Sequence, residues 1–484
     1  MSSKQKVLRG LSWSLISRIG VQGFQFLFGV ALARVLSPTE FGVFGMLIAF
    51  TGFAQVLAEG GLNAALIYKQ DASEVDQSTA FWLQVFAGLV LSVAFFFAAP
   101  FIADFYETPV LTPLTQLVAW VFLIQSFGQT HFANFSKQFR FKALAIVNVA
   151  GMVISGAVAI VLALQGYGVW ALAWQAITGP AVNVVLYWMQ SRWRPRLVFS
   201  WHAAGELWRY SIYLLGHMSL NYWLRNGDKL VIGKVLGASQ LGLYSRAYTL
   251  MLLPLNNLGA VIGQVMFPAL SEMQNDVPRF ARTYLRSTQM ISLVAFPVMF
   301  GLAVLSGPFI LFVYGEKWAE AIPILQILSL VGLFQSIVFP VGWVFTALGK
   351  TKAQFYLSIL FTFFFAAAVV VGIQYGLLGI SYAYAAWTAV VGLINLYVVG
   401  KYLGMSLLAL LRAVSRIFLM SALMAAGVYL LDAELLSAAS NLVRLIVGTL
   451  VGGGLYLGLC LILKDPTFKE AQDIALGALK KRRA

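Results

Sequence analysis

The sequence predicts an all-α polytopic membrane protein of about fourteen transmembrane helices: two six-helix lobes related by a pseudo-two-fold along the membrane normal, plus two appended helices. Three observations carry that prediction. Hydrophobic residues make up 60% of the chain and charged residues only 11%, with a mean hydropathy of +0.83, far from the composition of water-soluble domains. Apolar runs of about 20 residues, the length that crosses hydrocarbon, recur along the whole chain. Finally, residues 32–44, LARVLSPTEFGVF, return two hundred positions later as residues 232–244, IGKVLGASQLGLY. The match continues with PFIADFY from Pro100 against PFILFVY from Pro308, and IQSF from Ile124 against FQSI from Phe334. A block of helices has been copied, which is the usual build of secondary transporters.

Taken in order, the first span covers residues 10–34 and carries Arg18, Gln22 and Gln25. It is long, and no small-residue cleavage site precedes the next span, so it is expected to remain as a helix and not to be removed as a signal. The second span, 42–67, contains Glu59-Gly60-Gly61, where a helix can unwind and expose carbonyls. Spans 79–102, 112–134, 144–165 and 168–190 complete the first lobe. The basic stretch SRWRPRLVFSWHAAGELWR then forms a hinge. Spans 209–235, 243–268, 286–313, 320–346, 354–375 and 378–400 repeat the block, with Pro254, Pro297, Pro323 and Pro340 either bending the helices for alternating access or shaping the bundle permanently, as does Pro180 in the first lobe. Spans 408–431 and 442–463 have no counterpart. The expected organisation is thus 1–190 as the N-lobe, 191–208 as a cytoplasmic linker, 209–400 as the C-lobe, 401–464 as the appended pair and 465–484 as a basic tail. That tail carries Phe468, Ala471, Ile474, Ala475 and Leu479 at helical spacing beside Lys469 and Lys480, which suits either a helix lying on anionic lipid or a frayed end.

A net charge of +15 suggests nucleic acid until its placement is considered. Lys4, Lys6, Arg9, Lys137, Arg140, Lys142, Arg192, Arg194, Arg196, Arg279, Lys350 and Lys401 fall on one side, whereas Asp104, Glu107, Glu316, Glu320, Asp432 and Glu434 fall on the other. This is the positive-inside pattern, so both termini are expected in the cytoplasm, with membrane lipid and not nucleic acid as the partner. Cys460 is the single cysteine, so neither a disulfide nor a thiolate metal site is expected. GKT at 349–351 lacks the first glycine and the strand of a phosphate loop. His131, His202 and His217 have no metal-ligand spacing, and no cofactor or metal is indicated.

Ionisable residues within spans carry the functional signal, because a charge near the bilayer centre costs at least about 2.5 to 3.5 kcal/mol unless it is paired or wet. Arg18, Glu59, Arg225, Asp228, Lys229 and Arg246 qualify, on spans one, two, seven and eight. Arg225, Asp228 and Lys229 share one helical face. The four cations outnumber the two acids, a surplus suited to a dianionic phosphate or pyrophosphate. Asp228 paired with Lys229 or Arg246 as a structural salt bridge explains the same residues. Glu59 and Asp228 are candidates either for coupling to a proton or sodium ion or for ion pairing. Gln22, Gln25, Asn221, Tyr222 and Trp223 are candidate sugar contacts or ordinary packing residues. Arg34 and Lys234, equivalent in the repeat, read as snorkelling anchors.

LSPTEFGVF after span one, RNGDKLVIGKVLGASQLGLYSRAYTL through spans seven and eight, FPALSEMQND, and YGEKWAEAIPILQIL together resemble the polysaccharide transporter (Wzx-type) lipid-linked oligosaccharide flippases. That family belongs to the multidrug/oligosaccharidyl-lipid/polysaccharide exporter superfamily, and the likeness is to its colanic-acid and teichuronic-acid exporter branch. The resemblance implies fourteen helices around a V-shaped cavity, transport of undecaprenyl-pyrophosphate-linked oligosaccharide repeat units to the outer leaflet of the bacterial inner membrane, and partnership with polymerase or export machinery. It also implies that cavity cations, here Arg18, Arg225, Lys229 and Arg246, hold the pyrophosphate. Three alternatives stay open: a multidrug or cation antiporter of the same superfamily, which acidic cavity residues would favour; a membrane-embedded transferase using a lipid-linked donor, which a large outer loop would favour; and a scaffold of a polymer-export complex.

Overall fold

The computed structural model describes residues 20–59, 61–69 and 71–483. Among these residues the regular structure is helical throughout, and eleven helices are long and apolar enough to cross a membrane. The chain is a multi-pass membrane protein. A shorter apolar helix, α1, Gly20–Val35, is followed by α2 (Pro38–Glu59), α3 (Leu62–Tyr68), α4 (Glu74–Tyr106), α5 (Leu111–Lys137), α6 (Phe141–Leu164) and α7 (Val169–Gln190). The long element α8 (Trp201–Glu272) has non-helical backbone at Gly237 (φ 83°, ψ 177°), which splits it into two arms. Then come α9 (Val277–Val304), α10 (Ser306–Val313), α11 (Ala321–Val338), α12 (Val341–Ala347), α13 (Thr351–Ile373), α14 (Gly376–Leu403), α15 (Leu407–Leu430), α16 (Asn441–Ile462) and α17 (Pro466–Arg483).

Short polar residues start several of the helices. Ser37 and Glu40 form a reciprocal cap at α2: the Ser37 amide donates to Glu40 Oε2 (2.6 Å), and the Glu40 amide donates to Ser37 Oγ (3.3 Å). Ser73 and Asp76 do the same for α4. Single caps from Asp276, Ser406 and Ser440 begin α9, α15 and α16. Breaks follow glycine and proline. Helix α2 ends at Glu59, and Gly61 at φ 67° precedes α3. Pro340 separates α11 from α12.

Contacts divide the chain into two compact units, Met1–Gly242 and Leu243–Ala484. In the first, α4 packs on α5, α6 on α7, and α5 on α7; in the second, α9 packs on α11 and α15, and α14 on α11 and α13. The copied block also leaves matching local structure. Ser126 Oγ donates to Leu123 O at 2.6 Å, and its counterpart Ser336 donates to Leu333 O at 2.7 Å. Within the first unit, the two copies of the LSPTEFG/LGASQLG motif touch reciprocally. A Cβ on Gly42 would overlap the carbonyl of Ala238, and one on Gly242 would overlap that of Pro38, its partner's counterpart. Only glycine allows backbones this close, a packing mode common between membrane helices.

The basic segment after α7, residues 191–200, has no regular secondary structure and is fixed to α4. Trp82 Nε1 donates to Arg196 O (2.8 Å), the Arg196 amide donates to Ser78 Oγ (3.1 Å), and the Ser200 amide donates to Thr79 Oγ1 (3.1 Å). The Arg196 guanidinium also pairs with Glu74 at 2.6 Å. Nearby, Lys69 bridges Asp76 (3.0 Å) and Glu206 (2.8 Å). The hydrogen bond from Lys69 holds the Glu206 carboxyl below the ordinary carboxylate range, and Glu206 and Asp76 raise the Lys69 ammonium in turn.

Candidate functional site

The first arm of α8 assembles most of the polar residues singled out above. Its RNGDKL stretch contains poor helix formers, and local side-chain bonds accompany the helix there. Asn226 Nδ2 donates to Tyr222 O (3.0 Å), Lys229 Nζ donates to Asn226 Oδ1 (3.0 Å), and the Lys229 amide donates to Asp228 Oδ1 (2.8 Å). Asp228 is buried, Lys229 half-buried and Arg225 exposed. A buried carboxylate in an apolar helix requires hydrogen bonds or cations around it, and the electrostatics of Lys229 include Asp228.

Tyr222 sets the register of this arm against α2. Its hydroxyl lies 2.9 Å from both the Ile48 and Ala49 carbonyl oxygens, and a Cβ on Gly52 would approach that hydroxyl to 2.6 Å. Phe53 packs on Tyr222 and on Trp223, with ring centroids 6.0 and 5.1 Å apart. Tyr222 and Trp223 are therefore half-buried at a helix contact, while Asn221 and Arg225 are exposed. Lys234, one helical turn from the end of the arm, meets Glu107 at 2.6 Å and lies over the Phe105 ring. That contact lowers the Glu107 carboxyl.

Arg246 lies in the second unit, half-buried and electrostatically coupled to Tyr314. On α1, Gln22 is half-buried with Oε1 taking no hydrogen bond from the described residues, and Gln25 is exposed. Glu59 ends α2, but its side chain, like all of Arg18, lies outside the described residues. His131 is buried between Trp188 and Trp193, with centroids 5.0 and 5.2 Å away. His202 is 3.8 Å from Glu206. Among the described residues, no group of three or more His, Cys, Asp or Glu gathers as a metal site.

A second polar region emerges only in three dimensions. A cavity of about 270 Å³ inside the first unit is lined by Gln55, Asn63, Gln125, Gln129, Asn148 and Asn183, contributed by α2, α3, α5, α6 and α7. A relay runs behind it: Thr130 Oγ1 donates to Gln84 Oε1 (2.8 Å), Gln84 Nε2 donates to Asn63 Oδ1 (2.9 Å), and Asn63 Nδ2 donates to Gln129. One signal was available in sequence, the helical spacing of Gln125 and Gln129 on α5. Their partners on four other helices gave none.

Residues 31–323, more than half of the chain, match the family described as "Polysaccharide biosynthesis protein". The teichuronic acid biosynthesis protein TuaB of Bacillus subtilis (strain 168) is 30% identical over 87% of this chain and 88% of its own length. The succinoglycan biosynthesis transport protein ExoT of Rhizobium meliloti (strain 1021) is 27% identical over 97% of this chain and 95% of its own. Among solved structures, the lipid II flippase MurJ in an inward closed conformation aligns with a TM-score of 0.76 at 16% identity, covering 94% of this chain and 99% of that one. That likeness is one of fold.

Proposed function

Because the chain belongs to the Polysaccharide biosynthesis protein family, we propose that it is a flippase carrying polyprenyl-pyrophosphate-linked oligosaccharide repeat units from the cytoplasmic to the outer leaflet of the bacterial inner membrane. Relatives named for teichuronic acid biosynthesis and for succinoglycan transport support that cargo, as does a fold shared with a lipid II flippase. We count α1 and the two arms of α8 as spans beside the eleven long apolar helices, which makes fourteen, and with an even number and the basic side inward we read both termini as cytoplasmic.

The observation that carries the reading is the first arm of α8: Arg225 exposed and Lys229 half-buried in a chain of which only 11% is charged. Cations maintained at such a cost suit a doubly negative headgroup. We assign Arg225, Lys229, Arg246 and Arg18 to the pyrophosphate, Asn221, Gln25, Gln22, Trp223 and Tyr222 to the first sugar, and Glu59 and Asp228 to ion pairing or to a coupling proton or sodium ion. Two lobes alternating about this patch would move the headgroup while the polyprenyl tail stays in lipid.

The test is deletion of the gene in its host followed by complementation. Wild type should restore surface polysaccharide, and Arg225→Ala should lose roughly tenfold or more while reaching the membrane at normal abundance, the weight of a charge-assisted contact. Unchanged surface polysaccharide in the deletion strain would overturn the reading.

A further inference from the structure

We propose that the amide-lined cavity of the first unit is a sugar subsite, separate from the cationic arm, which binds an uncharged polyhydroxylated ring of the transported glycan; this rests on the flippase reading. Among the described residues, no charged side chain lines the cavity. That lining offers neither the cations an anion requires nor the carboxylates a metal cation prefers. Each carboxamide supplies two donors and an acceptor oxygen, and six of them converge in a chain of which 60% is hydrophobic. Polar groups in such surroundings are costly unless something bonds them.

The protein itself satisfies only part of that capacity. The relay through Thr130, Gln84 and Asn63 ends on Gln129 and fixes how its carboxamide is presented. Gln125 Oε1 and Asn183 Oδ1 are buried and accept no hydrogen bond from any described residue. A guest rich in hydroxyls, each both donor and acceptor, complements carboxamides of this kind. Phe132 and Tyr187 also line the space and supply apolar ring faces for the C–H side of a pyranose. The volume, about 270 Å³, equals that of roughly nine liquid waters at ~30 Å³ each, which suits a single sugar ring and not a polymer. Gly151 makes room for the Asn183 carboxamide, which a Cβ there would overlap.

The test uses the full-length protein in its host. Gln125→Leu and Asn183→Leu remove carboxamides whose oxygens accept nothing from the described residues, so thermal stability in detergent should hold or rise while polymer export falls roughly tenfold, the weight of one or two hydrogen bonds to the guest. Normal export by both variants overturns the subsite and leaves the flippase reading intact, whereas normal polysaccharide in the deletion strain removes that reading first. Stability and export falling together would make the amides structural and overturn the subsite.

A second measurement places Asn183→Cys in a Cys460→Ala background and labels it with a charged methanethiosulfonate reagent in membrane vesicles. Labelling should be slowed in membranes containing the lipid-linked oligosaccharide and restored in membranes from a host blocked at the first sugar transfer. Equal labelling in both membranes, or none in either, overturns the proposal.

Discussion

Replacing Gly42 or Gly242 by alanine tests the reciprocal contact between the two motif copies. On Gly242, the added methyl would sit 2.8 Å from the Pro38 carbonyl carbon and 3.1 Å from the Gly42 nitrogen; on Gly42, it would sit 2.9 Å from the Ala238 Cα. The Ala238 and Pro38 carbonyl oxygens would lie closer still, and carbon atoms in good contact are about 3.5 to 4.0 Å apart, so α2 and the second arm of α8 must separate by more than about 1 Å. Overpacking of this kind costs about 1–3 kcal/mol. One separation relieves both clashes, so the double variant should cost clearly less than the sum of the singles, a coupling expected for residues that share a backbone shift. Gly227→Ala is the control: nothing lies within 4 Å of its added Cβ, and alanine inside a helix gains about 0.5–1 kcal/mol over glycine. The measurement is thermal denaturation of purified protein in detergent for all four variants. Additive losses from the two singles, or a Gly42→Ala protein as stable as wild type, would refute the reciprocal packing.

Ser73→Ala removes the hydroxyl arm of the cap on α4 and leaves the Ser73 amide on Asp76; it should lower stability by about 1 kcal/mol, seen as earlier melting, and an unchanged melting curve would mean that the hydroxyl contributes nothing. Trp82→Phe deletes the indole donor to Arg196 O, so exchange of linker amides should quicken by about fivefold, the weight of one hydrogen bond, and hydrogen–deuterium exchange of residues 191–200 measures it. The pairing that lowers Glu107 contributes stability above the ordinary carboxylate pKa of about 4.3, and that contribution is lost as pH falls through the depressed value. Glu107 is solvent-exposed, so the gap between wild type and Glu107→Gln should be small at neutral pH and close at acidic pH or in high salt. A gap that widens on acidification contradicts the assignment.

The helices were legible from hydropathy because lipid requires an apolar run of fixed length wherever the chain crosses. Expected spans 168–190 and 442–463 sit on Val169–Gln190 and Asn441–Ile462. The break after Glu59 was visible as two glycines, and Pro340 marked the interruption between α11 and α12. Helix ends were less legible: α4 and α9 start earlier than hydropathy suggests, at Glu74 and Val277, because polar first turns capped by Ser73 and Asp276 are helical without being apolar. The charged residues of the first α8 arm announced themselves, since a charge inside an apolar run is conspicuous on its own. The amide cavity did not. A lone Asn63 or Asn148 on an apolar helix carries no charge signal, and only folding brings such residues from five helices to one place.

The anchoring of residues 191–200 to α4 bears on how this protein can be engineered. A basic, largely exposed joint invites use as a protease site or as the seam for a split reporter, yet cleavage and insertion both require several residues of pliable backbone. Here the Arg196 amide and carbonyl and the Ser200 amide are already committed, so trypsin should be slow there and an inserted tag should disturb α4. The turn at Gly166, where an added side chain meets open space, is the better place to graft one, with a residue that tolerates positive φ.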